Sequence, residues 1–157
     1  MRAIWHGISP APPPRPRTAP EAAAEAGKGT TREILADIIG FPTVSHHPNR
    51  QLIDCCGELL NVVGVDSHII ENDEGTKANL FATIGPVDRT GVMLSGHTDV
   101  VPVDGQAWTR PAFEATEEAG RIFGRGTADM KGFVAAALNV RLAAGLYVRL
   151  QRLELSE

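Results

Sequence analysis

From Thr30 onward the spacing of apolar residues switches between two periods, and this switching restricts the fold more than any other feature. Ile34, Leu35, Ile38 and Ile39 fall on one side of a helix. Thr30 and Glu33 make a capping-box pattern at its start, and Gly40 and Pro42 end it. A second helix is predicted over residues 49–63, with Leu52, Ile53, Cys56, Leu59, Leu60 and Val63 on one side. Gly64 is placed to stop it in a left-handed turn. Strand signals follow at residues 68–70, 79–84 and 91–95, the last a short apolar run suited to a buried central strand. A helix over residues 130–144 and a strand over 148–155 complete the pattern. Helices alternating with strands predict an α/β fold, a partial mixed sheet flanked by helices.

Residues 1–29 stand apart. Six prolines between Pro10 and Pro20 rule out a regular element and predict an extended, disordered Pro/Ala-rich tail. Four basic and two acidic residues give this stretch a charge of +2 and leave −6 on the remainder. The expected organisation is therefore a tail over 1–29 and a folded domain over 30–157. A net charge of −4 and the absence of a basic stripe with interleaved aromatics argue against nucleic acid. No apolar run approaches the ~20 residues of a membrane span, and the N-terminus lacks the apolar core of a signal peptide, so the cytoplasm is the expected location. Cys55 and Cys56 are adjacent, too close for an ordinary disulfide, and no second Cys pair completes a thiolate zinc site. They read as buried, reduced thiols.

The chemistry concentrates between Met93 and Phe133. Ser95-Gly96-His97-Thr98-Asp99 follows the 91–95 strand directly, at the strand end where open α/β sheets place their sites. A His two residues from an Asp can form the pair in which a carboxylate steadies a metal-binding imidazole, although taken alone the spacing is more often a surface or capping His. Gly124-Arg125-Gly126-Thr127-Ala128-Asp129-Met130-Lys131-Gly132 is a loop of unusual backbone geometry. It is not a nucleotide loop. Asp129 stands where a dinucleotide fingerprint needs its third glycine, and Lys131-Gly132 reverses the order of a P-loop. The loop presents Asp129 at a helix start, where the helix dipole favours a carboxylate, so simple capping is the alternative.

Taken together these segments resemble the M20 family of metallopeptidases and deacylases, and within it the acetylornithine deacetylases. The resemblance runs through Ser95-Gly96-His97-Thr98-Asp99-Val100-Val101-Pro102-Val103-Asp104-Gly105-Gln106, Trp108, Pro111, Phe113, Gly124-Arg125-Gly126 and Asp129-Met130-Lys131-Gly132. It extends more loosely to Glu33–Ser45, which includes Ile39-Gly40-Phe41-Pro42-Thr43-Val44-Ser45, and covers roughly residues 30–140. It implies the first half of a dinuclear-zinc aminopeptidase-like catalytic domain, His97 as a metal ligand, Asp99 orienting it, and Asp129 bridging two ions. Thr127, Lys131 and the glycines would shape the loop around Asp129. The implied cofactor is zinc or cobalt, two ions in the family, and the implied reaction is hydrolysis of a small N-acyl amino acid. N-acetylornithine, a substrate of arginine biosynthesis, is favoured by Val103-Asp104-Gly105-Gln106; succinyl-diaminopimelate desuccinylase shares the remaining segments.

The same resemblance implies missing parts: a Glu-Glu pair holding the general base, further acidic and His ligands, and a dimerisation domain. Glu157 is the residue that stands near the base position. His6, His46, His47 and His68 are poorly placed substitutes. The chain is therefore expected to be an incomplete half that binds metal weakly and hydrolyses little alone, with apolar sheet edges exposed. A catalytically inactive fragment or pseudoenzyme, and completion by a partner chain, are the competing readings.

Overall fold

A computed structural model describes residues 30–85, 88, 90–139 and the backbone of 146–151. The predicted tail and Glu157 lie outside the described residues.

Helix α1 (Thr31–Ile39) opens with the expected capping box: the Glu33 amide donates to Thr30 Oγ1, and the Thr30 amide to the Glu33 carboxylate at 2.6 Å. Helix α2 (Arg50–Val62) closes as Gly64 predicts. Gly64 has φ +76°, its amide donates to Asn61 O at 2.9 Å, and the Val65 amide donates to Leu60 O at 3.0 Å, which together form a Schellman motif. Val63 falls in this cap rather than on the apolar face, and so is exposed.

Strands β1 (Ser67–Glu71), β2 (Ala78–Ile84), β3 (Val92–His97) and β6 (Leu146–Gln151) make one mixed sheet in the order β1-β2-β6-β3. The β1–β2 and β2–β6 pairs are antiparallel, and β3–β6 is parallel. The α/β class is as the sequence predicts. Helix α3 (Gly132–Asn139) connects back from β3 toward β6. It begins later than its apolar pattern predicts, because residues 127–131 form a π-type turn with extended angles at Asp129. A hairpin of β4 (Thr116–Glu118) and β5 (Arg121–Phe123) was not expected. Its strands are three residues long, too short for an alternation signal, and its turn places Ala119 at φ +50° beside Gly120.

Strand β3 departs from expectation in its place. Among the described strands it is terminal in the sheet, with Val92 63% and Met93 56% exposed. The apolar run is real, but β6 covers only one of its edges, and no other described strand pairs with it. The core lies between the helices and the inner sheet face. Ile38, Ile39, Leu52, Ile53, Leu60, Leu80 and Val134 are fully or almost fully buried there, each worth roughly 1.5–3 kcal/mol of burial.

Candidate metal centre

Two segments meet at the C-terminal end of β3. The segment before α2 pairs with the segment after β3: the Val100 amide donates to Thr43 O at 2.9 Å, and the Ser45 amide to Val100 O at 3.0 Å. Buried side chains reinforce the junction. Thr43 Oγ1 donates to Thr98 O at 2.6 Å, and Asn49 Nδ2 donates to Thr98 Oγ1 at 3.3 Å. Asn49 also brackets Ala78 of β2, accepting from its amide at 2.8 Å and donating to its carbonyl at 3.0 Å.

This frame fixes His97. Its Nδ1 lies 3.0 Å from the main-chain carbonyl of Asp99 and 3.3 Å from Asp99 Oδ1. Both neighbours are acceptors, which favours a proton on Nδ1, and in the neutral ring with that proton Nε2 holds the lone pair. The carbonyl makes the hydrogen bond. Asp99 Oδ1 is close enough for an ionic contact but is left without a hydrogen-bond partner, while Asp99 Oδ2 accepts from Ser45 Oγ at 2.6 Å. Ser45 is the residue that motif reading missed. Its segment, Phe41-Pro42-Thr43-Val44-Ser45, carries the looser part of the resemblance, but only the fold puts its hydroxyl against Asp99.

His97 Nε2 faces Asp129 Oδ1 at 3.1 Å. The His97 side chain is 15% exposed and that of Asp129 is 89% exposed, so the pair opens to solvent from the carboxylate side. The Asp129–Met130 peptide is cis. Gly126 starts the turn at φ +83°, with Lys131 buried beneath it. Burial pushes the Lys131 ammonium down to about 7, opposed by the neighbouring Cys56.

The arrangement suits a cation. A neutral imidazole lone pair and a carboxylate oxygen repel at 3.1 Å unless a proton or metal ion lies between them. Ligands each ~2.0–2.1 Å from a tetrahedral zinc ion lie roughly 3.3 Å apart, close to the separation seen. The donor set of one imidazole and one carboxylate matches zinc or cobalt chemistry. Among the described residues no cluster of three or more His, Cys, Asp or Glu completes the shell. Cys55 and Cys56 are buried free thiols within the core and take no part in the site. None of the described helices is long and apolar enough to cross a membrane.

Residues 93–144 match Peptidase family M20/M25/M40. Over 111 residues the chain is 38% identical to the acetylornithine deacetylase of Proteus mirabilis, covering 66% of this chain and 28% of that protein. Over 103 residues it is 41% identical to a probable succinyl-diaminopimelate desuccinylase of Staphylococcus epidermidis, covering 63% of this chain and 24% of that protein. The fold is similar to the M20 metallo-carboxypeptidase Sso-CP2 of Sulfolobus solfataricus, with TM-score 0.63, 24% identity, and coverage of 79% of this chain and 31% of that one. It is also similar to human carnosine dipeptidase 1, with TM-score 0.59, 20% identity, and coverage of 77% and 31%. The chain thus spans less than a third of the length of these relatives. Over the part that it does span, it is similar to the M20 peptidase family and, within it, to the acetylornithine deacetylases.

Proposed function

We propose that this chain carries one part of the active site of a metal-dependent amide hydrolase that removes the acyl group from small N-acyl amino acids. The observation that carries this reading is the His97–Asp129 pair, with Nδ1 held by Asp99 and Nε2 aimed at Asp129 Oδ1 at 3.1 Å. In this reading His97 and Asp129 would hold zinc or cobalt, and Asp99 orients the imidazole. A bound divalent ion supplies an acidified water and polarises the attacked carbonyl. The chain's own contribution is to fix the ring through Nδ1 and to direct Nε2 toward Asp129. N-acetylornithine is the favoured substrate on the similarity to acetylornithine deacetylases. The desuccinylase similarity keeps N-succinyl-diaminopimelate as the alternative. A small-molecule substrate in the cytoplasm, with no nucleic-acid partner, belongs to the same reading, as does a division into a tail over 1–29 and an incomplete catalytic domain over 30–157.

A second reading concerns the chain acting alone. The described residues supply two ligands and no third, so they hold metal weakly and hydrolyse little. Glu157, which stands near the base position although residues 139–157 depart from the family pattern, is the candidate base within this chain. Hydrolysis of N-acetylornithine by the purified chain with added zinc or cobalt, beside His97→Ala and Glu157→Gln controls, separates the two readings. Turnover lost in both variants supports a working site with Glu157 as base. Turnover no higher than in the controls supports the incomplete half.

A further inference from the structure

Lys131 is a fully buried charged residue, at 0% exposure, and the chemistry proposed above does not use it. Its Nζ donates to Ile38 O at 2.8 Å and Phe41 O at 2.7 Å, 93 and 90 positions earlier in the chain. These carbonyls lie at and just beyond the C-terminal end of α1, where the helix dipole favours a cation. Burying an ammonium is expensive even when it is paired, and an apolar side chain of the same volume would fill the space without that cost. Packing alone therefore does not call for lysine here.

The position of Asp129 does. Its side chain is 89% exposed, so the backbone on either side must set where the carboxylate stands. On one side Gly126 sits in a left-handed conformation, and a Cβ there would lie 2.7 Å from Val100 Cγ1 and 3.3 Å from the Lys131 stem. On the other side the Lys131 amide donates to Gly126 O at 2.8 Å and its ammonium reaches α1. The residues between are thus closed into a loop whose far end is tied to a different element.

We propose that Lys131 is a positioning residue: its ammonium ties the turn that carries Asp129 to the C-terminal end of α1, and so holds the Asp129 carboxylate against His97 Nε2. This rests on the metal reading of the pair and extends it to a residue that touches neither substrate nor ion.

The test uses Lys131→Met, which keeps the stem and removes the donors, beside Leu60→Ala, which opens the core of α2 away from the turn. Two quantities are read on the full chain: amide hydrogen exchange at Thr127 and Lys131 without metal, and zinc affinity by calorimetry. The expected result for Lys131→Met is faster exchange at both amides and zinc binding weakened about 10–100-fold, the range for loss of a group that supports a ligand. Leu60→Ala should lower the melting temperature yet leave both quantities unchanged. Unchanged exchange and affinity in Lys131→Met, or equal loss of affinity in Leu60→Ala, overturns the proposal. Lys131→Gln, which keeps one donor group, is judged by the same criteria if the Met variant does not fold. A wild-type chain that takes up no zinc sinks the metal reading instead, and exchange at the two amides then decides the role of Lys131.

Discussion

Ser45 Oγ donates to Asp99 Oδ2 at 2.6 Å across 54 positions of sequence, and so steadies the residue whose main-chain carbonyl lies 3.0 Å from His97 Nδ1. The hydroxyl is thus part of the apparatus that sets one ligand's orientation. Removing it as Ser45→Ala leaves a nearly buried carboxylate short of a partner. The expected outcome is a loss of about 1.5–3 kcal/mol in stability, the usual range for a hydrogen bond to a charged group. Zinc affinity should fall at least tenfold. Urea denaturation and calorimetric zinc titration check the two effects separately.

Gly126 is required by its backbone and by its neighbour. Its φ of +83° is strained for any residue with a Cβ, and that Cβ would press on Val100 Cγ1 at 2.7 Å. Gly126→Ala should cost about 2–5 kcal/mol, the sum of left-handed strain and overpacking. A Gly105→Ala variant is the comparison, since Gly105 shares the positive φ but meets nothing within 4 Å. An equal loss in both variants would show that the contact with Val100 does not matter.

Asn49 joins α2, β2 and the segment after His97. It is 3% exposed and bonds both main-chain groups of Ala78 as well as Thr98 Oγ1. Asn49→Ala should destabilise by about 2–3 kcal/mol, because buried partners lose their bonds. Asn49→Asp should do the same, since it keeps the acceptor toward the Ala78 amide but puts a second acceptor against the Ala78 carbonyl. An aspartate variant as stable as wild type would show that the donor half of the bracket is dispensable.

The thiols give a pH dependence of known sign. Burial, followed by the nearby Asp37 and Glu58, pushes Cys55 from 9.0 up to about 12, and burial pushes Cys56 up as well. The folded chain keeps these protons while the unfolded chain releases them above 9.0. The thiol contribution is therefore fully present below pH 9.0 and is lost as pH rises toward 12. Iodoacetamide at pH 9 should leave both residues unmodified in the native chain and alkylate them in urea. Rapid modification of the folded protein would contradict their burial.

Much of this architecture is legible in the sequence because it is local. The Thr30–Glu33 box, the apolar faces of α1 and α2 and the turn at Gly64 each depend on residues within a few positions. Strand β3 was legible as a strand but not as a terminal one, since sheet order depends on where β6 inserts. The β4–β5 hairpin left too short a pattern to read. At the site, His97, Asp99 and Asp129 stood out by spacing and by resemblance. The hydroxyl of Ser45 and the reach of Lys131 to α1 did not, because each joins positions more than fifty residues apart and depends on tertiary structure alone.

Calorimetric titration of the metal-free chain with zinc, beside His97→Ala and Asp129→Asn, tests the central claim most directly. The account predicts weak uptake by the wild-type chain and its loss in both variants, since one removes a ligand nitrogen and the other the charge on the facing oxygen. Zinc uptake that persists unchanged in either variant would contradict it and move the metal elsewhere.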